Sequence, residues 1–217
     1  MNPILKRIVT ALSTAALAVL AVVYAPVCII GPVVVLLIAL AFVEYLLLLN
    51  KKFGTWTKAP VWAALGLLVL SGLLALPCVA MRHGNWMLLY VIAIVKVSDM
   101  GGFALGLSSA RLMKGGNHKL CPSVSPGKSW EGLFGSVLAA CIVSCLFTPV
   151  THYGWGKALA FGVAAALVGT AGDLVESKFK RWVGVKDSAT FMPAGLGGLL
   201  DMLDSLLFAP ALLLPFL

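Results

Sequence analysis

The chain has 217 residues, of which 61% are hydrophobic and only 11% charged, with a mean hydropathy of +1.03. A soluble domain carries about 25% charged residues, so a soluble globular fold is excluded and an integral membrane protein is indicated. The formal net charge of +8 suits an anionic membrane face or an anionic substrate. It does not point to nucleic acid, because the basic residues are scattered over short loops between apolar runs.

Apolar runs of spanning length lie at residues 4–24, 27–49, 60–80, 86–107, 130–149, 155–175 and 198–217. Each is long enough for a helix to cross roughly 30 Å of hydrocarbon. The runs are continuous rather than alternating, which predicts helices and not barrel strands. The expected fold is therefore all-α, a polytopic bundle of about seven transmembrane helices. Pro26 and Pro32 bracket a tight first hairpin. The first run is too long for a cleaved signal peptide and lacks a convincing small-residue exit. By content the chain divides into N-terminal transmembrane helices at 1–85 and a catalytic transmembrane region at 86–217, with polar motifs at 98–132 and 172–205.

Orientation follows from the basic residues. With the N-terminus inside, the cytoplasmic segments hold Lys6, Arg7, Lys51, Lys52, Lys58, Arg111, Lys114, Lys119, Lys128, Lys178, Lys180, Arg181 and Lys186. Arg82 and Lys157 fall on the other side, and Lys96 lies inside the fourth run. The six tryptophans (Trp56, Trp62, Trp86, Trp130, Trp155 and Trp182) lie near run ends, as interfacial anchors do. Cys28, Cys78, Cys121, Cys141 and Cys145 form no framework; four lie in runs, and they read as small apolar fillers.

The acids are more informative. Glu44 stands alone, and the others fall in two blocks, 99–131 and 173–204, which this topology places at the cytoplasmic ends of spans four to seven. Ionisable residues in membrane helices are costly and mark functional sites by default. Capping and solvation explain Glu131 and Glu176 as well as function does. They explain Asp99, Asp173, Asp201 and Asp204 poorly.

The first block reads "KVSDMGGFALGLSSARLMKGGNHKLCPSVSPGKSWEG", residues 96–132. Lys96 and Asp99 share a helix face and can neutralise one another. Gly101, Gly102 and Gly106 allow close helix approach. The stretch "SPGKSWEG", Ser125 to Gly132, offers backbone N–H groups, hydroxyls and Lys128 to a phosphate. Its likeness to a Walker A loop is superficial, because the G-x-x-x-x-G-K spacing is absent.

The second block reads "GDLVESKFKRWVGVKDSATFMPAGLGGLLDMLDS", residues 172–205. On a helix, Asp173, Ser177 and Lys180 share a face with Arg181 beside them, and so do Asp201, Asp204 and Ser205. Gly195, Gly197 and Gly198 feed the start of the last helix, a natural anion cradle. Carboxylates at the same place suggest a hard divalent ion such as Mg²⁺. The residue set implies metal-assisted phosphoryl or nucleotidyl transfer. It does not reveal the nucleotide or the lipid.

The run Ser177-Lys-Phe-Lys180-Arg181, then Lys186-Asp187-Ser188, Pro193, Gly197-Gly198, Asp201 and Asp204-Ser205 resembles the C-terminal signature of the phosphatidate cytidylyltransferases. Ser98-Asp99 and "HKLCPSVSPGKSWEG" at 118–132 resemble the same family in the same order, and Glu44-Tyr45 resembles an acid–aromatic pair found there. The resemblance covers roughly residues 90–210. It implies that CTP and phosphatidic acid give CDP-diacylglycerol and pyrophosphate, with Mg²⁺ as cofactor, in a bacterial cytoplasmic membrane with the site facing the cytoplasm. It also implies a homodimer.

Carried over, the resemblance makes Asp173 and Asp201 the metal ligands, with Asp204 a third carboxylate or an orienting group. Lys128, Lys180, Arg181 and Lys186 would hold phosphates, with Ser125 and Ser177 as hydroxyl donors, and Lys128 and Lys186 counted with Asp173 and Asp201 as catalytic. Ser98, Asp99, Gly197 and Gly198 complete the substrate site, and Asp187 would either ligate metal or orient Lys186.

Two signature positions differ. The usual pattern is Pro-Gly-His-Gly-Gly followed by Asp-Arg-x-Asp; here Leu196 replaces the histidine, with one residue inserted, and Met202 replaces the arginine. The competing readings are a CTP-dependent kinase or cytidylyltransferase acting on an isoprenoid or ether lipid, and, in another class, a transporter or inactive scaffold. A transporter places its buried charges near the bilayer midplane between repeats, whereas these gather at one face.

Overall fold

The computed structural model describes residues 19–54, 59–113, 116–185, 188 and 198–217. Residues 19–24 are helical. Helix α1 is Val27–Phe53, α2 is Ala59–Leu70, a 3₁₀ turn follows at Ser71–Leu74, α3 is Ala75–His83 and α4 is Asn85–Leu112. A hairpin of β1 (Lys119–Cys121) and β2 (Ser125–Ser129) leads into α5, Trp130–Leu146. The short α6 (Thr148–Thr151), α7 (Trp155–Val183), α8 (Leu199–Leu213) and a 3₁₀ turn at Leu214–Phe216 complete the order.

The fold is an all-α membrane bundle. Five helical stretches are long and apolar enough to cross a bilayer: Val27–Phe53, Pro60–His83, Asn85–Leu112, Trp155–Val183 and Leu199–Phe216. Trp130–Leu146 is a shorter apolar helix. These six match the later runs of the sequence; the first run, 4–24, lies mostly outside the described residues. One face of α1 (Val33, Leu36, Leu40, Val43, Leu47) is exposed and wholly apolar, as lipid contact requires. The opposite face, with Val34, Ile38, Ala41 and Leu48, is buried in the bundle core.

Small residues set the spacing of the helices that carry the acids. A Cβ placed on Gly101 would lie 2.7 Å from the Gly135 carbonyl oxygen and 2.5 Å from Ala139 Cβ. One on Gly102 would lie 2.2 Å from Ser136 Oγ. Gly106 packs on Ser129 and Gly132, so α4 and α5 run antiparallel with their backbones in contact. Gly162 seats α7 on the Cys141 backbone, and Gly172 seats it on Phe208 and the Asp204 carbonyl of α8. All five cysteines are free thiols, consistent with their role as fillers.

The third apolar run is not one continuous α-helix. Its 3₁₀ turn brings Gly72 against α8, where a Cβ would be 2.3 Å from the Leu207 carbonyl oxygen. The β-hairpin is the other departure from a purely helical reading. Its strands pair antiparallel, Lys119 with Ser129 and Cys121 with Ser125, across a register shift.

Candidate functional site

The hairpin is pinned at its base. Ser129 caps α5 by accepting the Gly132 N–H at 3.0 Å, which satisfies one of the orphan donors of a helix start. Glu131, in the first turn, accepts the His118 N–H at 3.1 Å and meets His118 Nδ1 at 2.7 Å. The Trp130 N–H donates to the His118 carbonyl at 2.9 Å. Glu131 and His118 thus hold the hairpin to α5, and His118 is solvent-facing. With its base fixed, the hairpin aims Lys128 into the bundle, where its ammonium is ion-paired to the Asp173 carboxylate of α7.

That pair lines a cavity of about 480 Å³, within the usual range for small-molecule sites. Its walls include Asp99, Asn117, Ser125, Lys128, Thr170 and Asp173, and its floor is glycine-rich where α4 and α5 touch. Asp99, Asp173 and Asp204 act on one another electrostatically, and the charge of Lys96 bears on both Asp99 and Asp204. Lys96 Nζ donates to the Met202 carbonyl at 2.8 Å and to Ser205 Oγ at 2.9 Å. Asp99 lies well inside α4, which continues to Leu112; it is therefore set deeper in its helix than a position at a span end, whereas Glu131 of the same block does sit at a helix end.

A second polar cluster lies beside the first. Lys180 Nζ is 2.7 Å from Glu176 Oε2 and 2.6 Å from Asp201 Oδ1. Asp201 Oδ2 accepts the Gly198 N–H at 2.9 Å and the Ser188 N–H at 3.1 Å. Glu44, only 1% exposed, reaches from α1 and accepts the Leu200 N–H at 2.9 Å. Two carboxylates therefore complement the positive end of α8. Gly198 is obligatory here, since a Cβ would lie 2.3 Å from Glu44 Oε1 and 2.0 Å from Ser188 Oγ.

Helices α7 and α8 divide their polar residues between the two clusters. Asp173 faces the cavity, whereas Glu176 and Lys180 join the second cluster. Likewise Asp204 and Ser205 face Lys96, whereas Asp201 faces Lys180. Asp201 and Asp173, paired as metal ligands by the resemblance, have separate surroundings, and each Asp201 oxygen already accepts hydrogen bonds. Ser98 is buried and donates to the Ser136 carbonyl at 3.2 Å, so it faces α5 rather than the cavity. Ser177 is half-buried on α7. Arg181 is exposed and donates to the Val185 carbonyl at 3.3 Å, closing the end of α7. Lys186, Asp187 and Gly197 lie outside the described residues.

Trp182 is part of an aromatic cluster. It packs on Phe53, Trp62 and Phe179, with Lys52 Nζ 5.4 Å from its ring centre. Next to that cluster an apolar cavity between α1, α2, α7 and α8 is lined by Tyr45, Trp62, Phe179 and Phe208, with Glu176 among its walls. The roles of Lys96, Asn117 and the Glu44–α8 contact escaped the sequence assignment of site residues. The signal for Glu44 and Lys96 was present, namely an ionisable residue inside an apolar run.

The donor set can be tested against a metal ion. Asp173 Oδ1 is buried without a hydrogen-bond partner, although Oδ2 meets Lys128. Among the described residues, no group of three or more His, Cys, Asp or Glu side chains converges closely enough to hold an ion. Mg²⁺ does not need one: it is bound by one or two carboxylates together with waters and substrate phosphates. The residues fit a Mg²⁺ that arrives with a nucleotide, and they do not fit a closed protein cage.

Comparison with known proteins places the chain in a family. The profile described as "Cytidylyltransferase family" matches residues 61–217. A phosphatidate cytidylyltransferase of Haemophilus influenzae is 40% identical over 130 residues, covering 57% of this chain and 43% of that protein. One from Staphylococcus epidermidis is 40% identical over 128 residues, covering 58% of this chain and 46% of that protein. The Escherichia coli protein YnbB is 39% identical over 137 residues, covering 63% of this chain and 44% of that protein. In these alignments the chain spans less than half the length of the curated relatives it matches.

Proposed function

We propose that this chain, which belongs to the cytidylyltransferase family, transfers the cytidylyl group of CTP to phosphatidic acid, giving CDP-diacylglycerol and pyrophosphate for phospholipid synthesis. The observation that carries the reading is Asp173: one oxygen is paired to Lys128, and the other is buried and unpartnered beside a polar cavity. The relatives named for this activity support the choice of nucleotide and lipid.

In the reaction a phosphate oxygen of the lipid attacks the α-phosphorus of CTP. The α–β bridging P–O bond breaks, and pyrophosphate leaves with the bonding electrons. No covalent enzyme intermediate is needed. Lys128, paired to Asp173 here, would turn to the triphosphate, and the Asp173 carboxylate would then be available to hold Mg²⁺. Mg²⁺, held by Asp173 with Asp204 or Asp99 and by the substrate phosphates, would neutralise the charge that develops on the phosphate oxygens. Ser125 and the hairpin N–H groups line the path of the nucleotide, and Lys186 and Arg181 remain the phosphate ligands that the motif suggests. Asp201 acts by holding Lys180 and the start of α8.

The site faces the cytoplasm of a bacterial inner membrane in this reading. Lys51 and Lys52 end α1, Arg111 ends α4, and Lys180 and Arg181 end α7; the positive-inside rule puts these ends in the cytoplasm. A homodimer is part of the same proposal and rests on the family alone.

The test uses protein purified in detergent or lipid, with Mg²⁺, CTP and phosphatidic acid, following CDP-diacylglycerol and pyrophosphate, and Asp173→Asn as control. Product that disappears in the variant supports the reading. Product only with an isoprenoid or ether lipid replaces the acceptor. No product with any lipid, from folded protein, sinks the enzymatic reading in favour of a scaffold.

A further inference from the structure

We propose that Lys96 is the positioning residue of the α8 acids, supplying from α4 the positive charge that the signature carries as an arginine where this chain has Met202. The inference rests on the cytidylyltransferase reading and adds a residue to its machinery. Lys96 lies within an apolar span, where an ammonium is tolerated only if paired. Its hydrogen bonds run to α8, and the charge of Asp99 on its own helix bears on it. On its own helix Asp99 is three residues away, one face of a helix. Across the interface it donates to the Met202 carbonyl at 2.8 Å and to Ser205 Oγ at 2.9 Å, and its charge bears on Asp204.

The ammonium therefore meets α8 at the backbone carbonyl of Met202, the position where the resemblance would put an arginine. Met202 itself is half-exposed and brings no charge. Among the described residues, Lys128 is the other cation bearing on this group of acids, Asp99, Asp173 and Asp204, and the substrate phosphates also require it. Lys96 relieves the repulsion among the acids and fixes the turn of α8 that carries Asp204. It is a positioning residue, since it acts through Asp204 and the α8 backbone.

The experiment compares wild type, Lys96→Arg, Lys96→Met and the double variant Lys96→Met/Met202→Arg, in full-length protein in lipid nanodiscs. The readouts are CDP-lipid formation, with kcat and KM for CTP taken separately, and the thermal unfolding midpoint. Loss of an outer-shell partner of a metal site costs about ten- to a hundredfold. Lys96→Met is expected to lose that much in kcat, Lys96→Arg to retain most activity, and Met202→Arg to restore most of what Lys96→Met loses. A lost packing contact would not be rescued by a cation placed on the other helix. Wild-type activity in Lys96→Met, or a folded double variant no better than Lys96→Met, overturns the proposal. If Lys96→Met does not fold, recovery of folded protein by Met202→Arg supports it and failure to recover overturns it. If wild type makes no CDP-lipid from any acceptor, the functional reading falls, and the unfolding midpoints alone decide the placement of the charge: a midpoint lowered by Lys96→Met and raised again by Met202→Arg upholds it, and any other order overturns it.

Discussion

The carboxylate of Glu44, in α1, accepts the backbone N–H of Leu200, in the first turn of α8, at 2.9 Å. Glu44 lies outside the 61–217 stretch that defines the family match, yet it holds the helix that carries Asp201 and Asp204. Glu44→Ala leaves a buried N–H without its acceptor, a loss of about 1–3 kcal/mol. We expect a lower unfolding midpoint and reduced turnover. Glu44→Gln keeps an acceptor and should lose less of both. Equal midpoints for the three proteins would show that the contact does not hold α8.

Asp173→Asn is expected to reduce cytidylyl transfer by about a hundredfold or more, as loss of a transition-state charge partner does. Lys128→Ala should reduce it comparably and raise KM for CTP. Single-turnover and steady-state assays on both variants check this. Asp201→Asn should behave differently, lowering the unfolding midpoint together with activity, because it weakens Lys180 and the Gly198 cap as well.

Chelation should abolish the reaction, and added Mg²⁺ should restore it. Because the protein offers few converging carboxylates, Mg²⁺ affinity is expected to be weak without nucleotide and to tighten with CTP. Calorimetric titration of Mg²⁺ with and without a non-hydrolysable CTP analogue measures this. Tight binding without nucleotide would contradict the open site.

The α4–α5 contact gives a steric prediction. A Cβ at Gly101 meets the Gly135 carbonyl oxygen at 2.7 Å, whereas one at Gly102 meets chiefly Ser136 Oγ, at 2.2 Å. A hydroxyl can rotate away and a backbone carbonyl cannot. Gly101→Ala should therefore destabilise by about 1–3 kcal/mol, the usual range for overpacking, and Gly102→Ala by less. Denaturant titrations of the two variants in detergent give the order.

Orientation can be read with one thiol. Cys121 sits in β1 of the hairpin and is half-exposed. In a variant retaining only Cys121, a membrane-impermeant thiol reagent should label inverted membrane vesicles and not intact spheroplasts. Labelling of spheroplasts would reverse the proposed topology.

Much of the bundle was legible in the sequence because hydropathy is local. Continuous apolar runs mark six helical stretches, missing by more than a few residues only the polar C-terminal end of α7. The glycines at 101, 102 and 106 announced a close helix contact for the same reason. The hairpin was not legible as strands: "KLCPSVSPGKS" is short and proline-containing, and its pairing depends on Glu131 holding His118. The division of acids into two clusters was also hidden. Helical spacing puts Asp201, Asp204 and Ser205 on one broad face, but Lys180 and Lys96 come from different neighbours and split that face. Only the packing of α8 between α4 and α7 decides which acid meets which cation.

That packing bears on how the protein is made. Helices α4 and α7 each bring a counter-ion with them: Lys96 with Asp99, and Lys180 with Glu176 at 2.7 Å. Both can enter the bilayer as locally neutralised segments. Helix α8 carries Asp201 and Asp204 with no lysine or arginine of its own. An acid at a helix centre opposes insertion by about 2.5–3.5 kcal/mol; Asp201 in the first turn and Asp204 one turn further on cost less than that each, and they still make α8 slower to insert than its apolar remainder would be. Its cations wait on helices already in the membrane. Insertion of α8 and completion of the site are then one event, and a chain that fails to capture α8 leaves both undone.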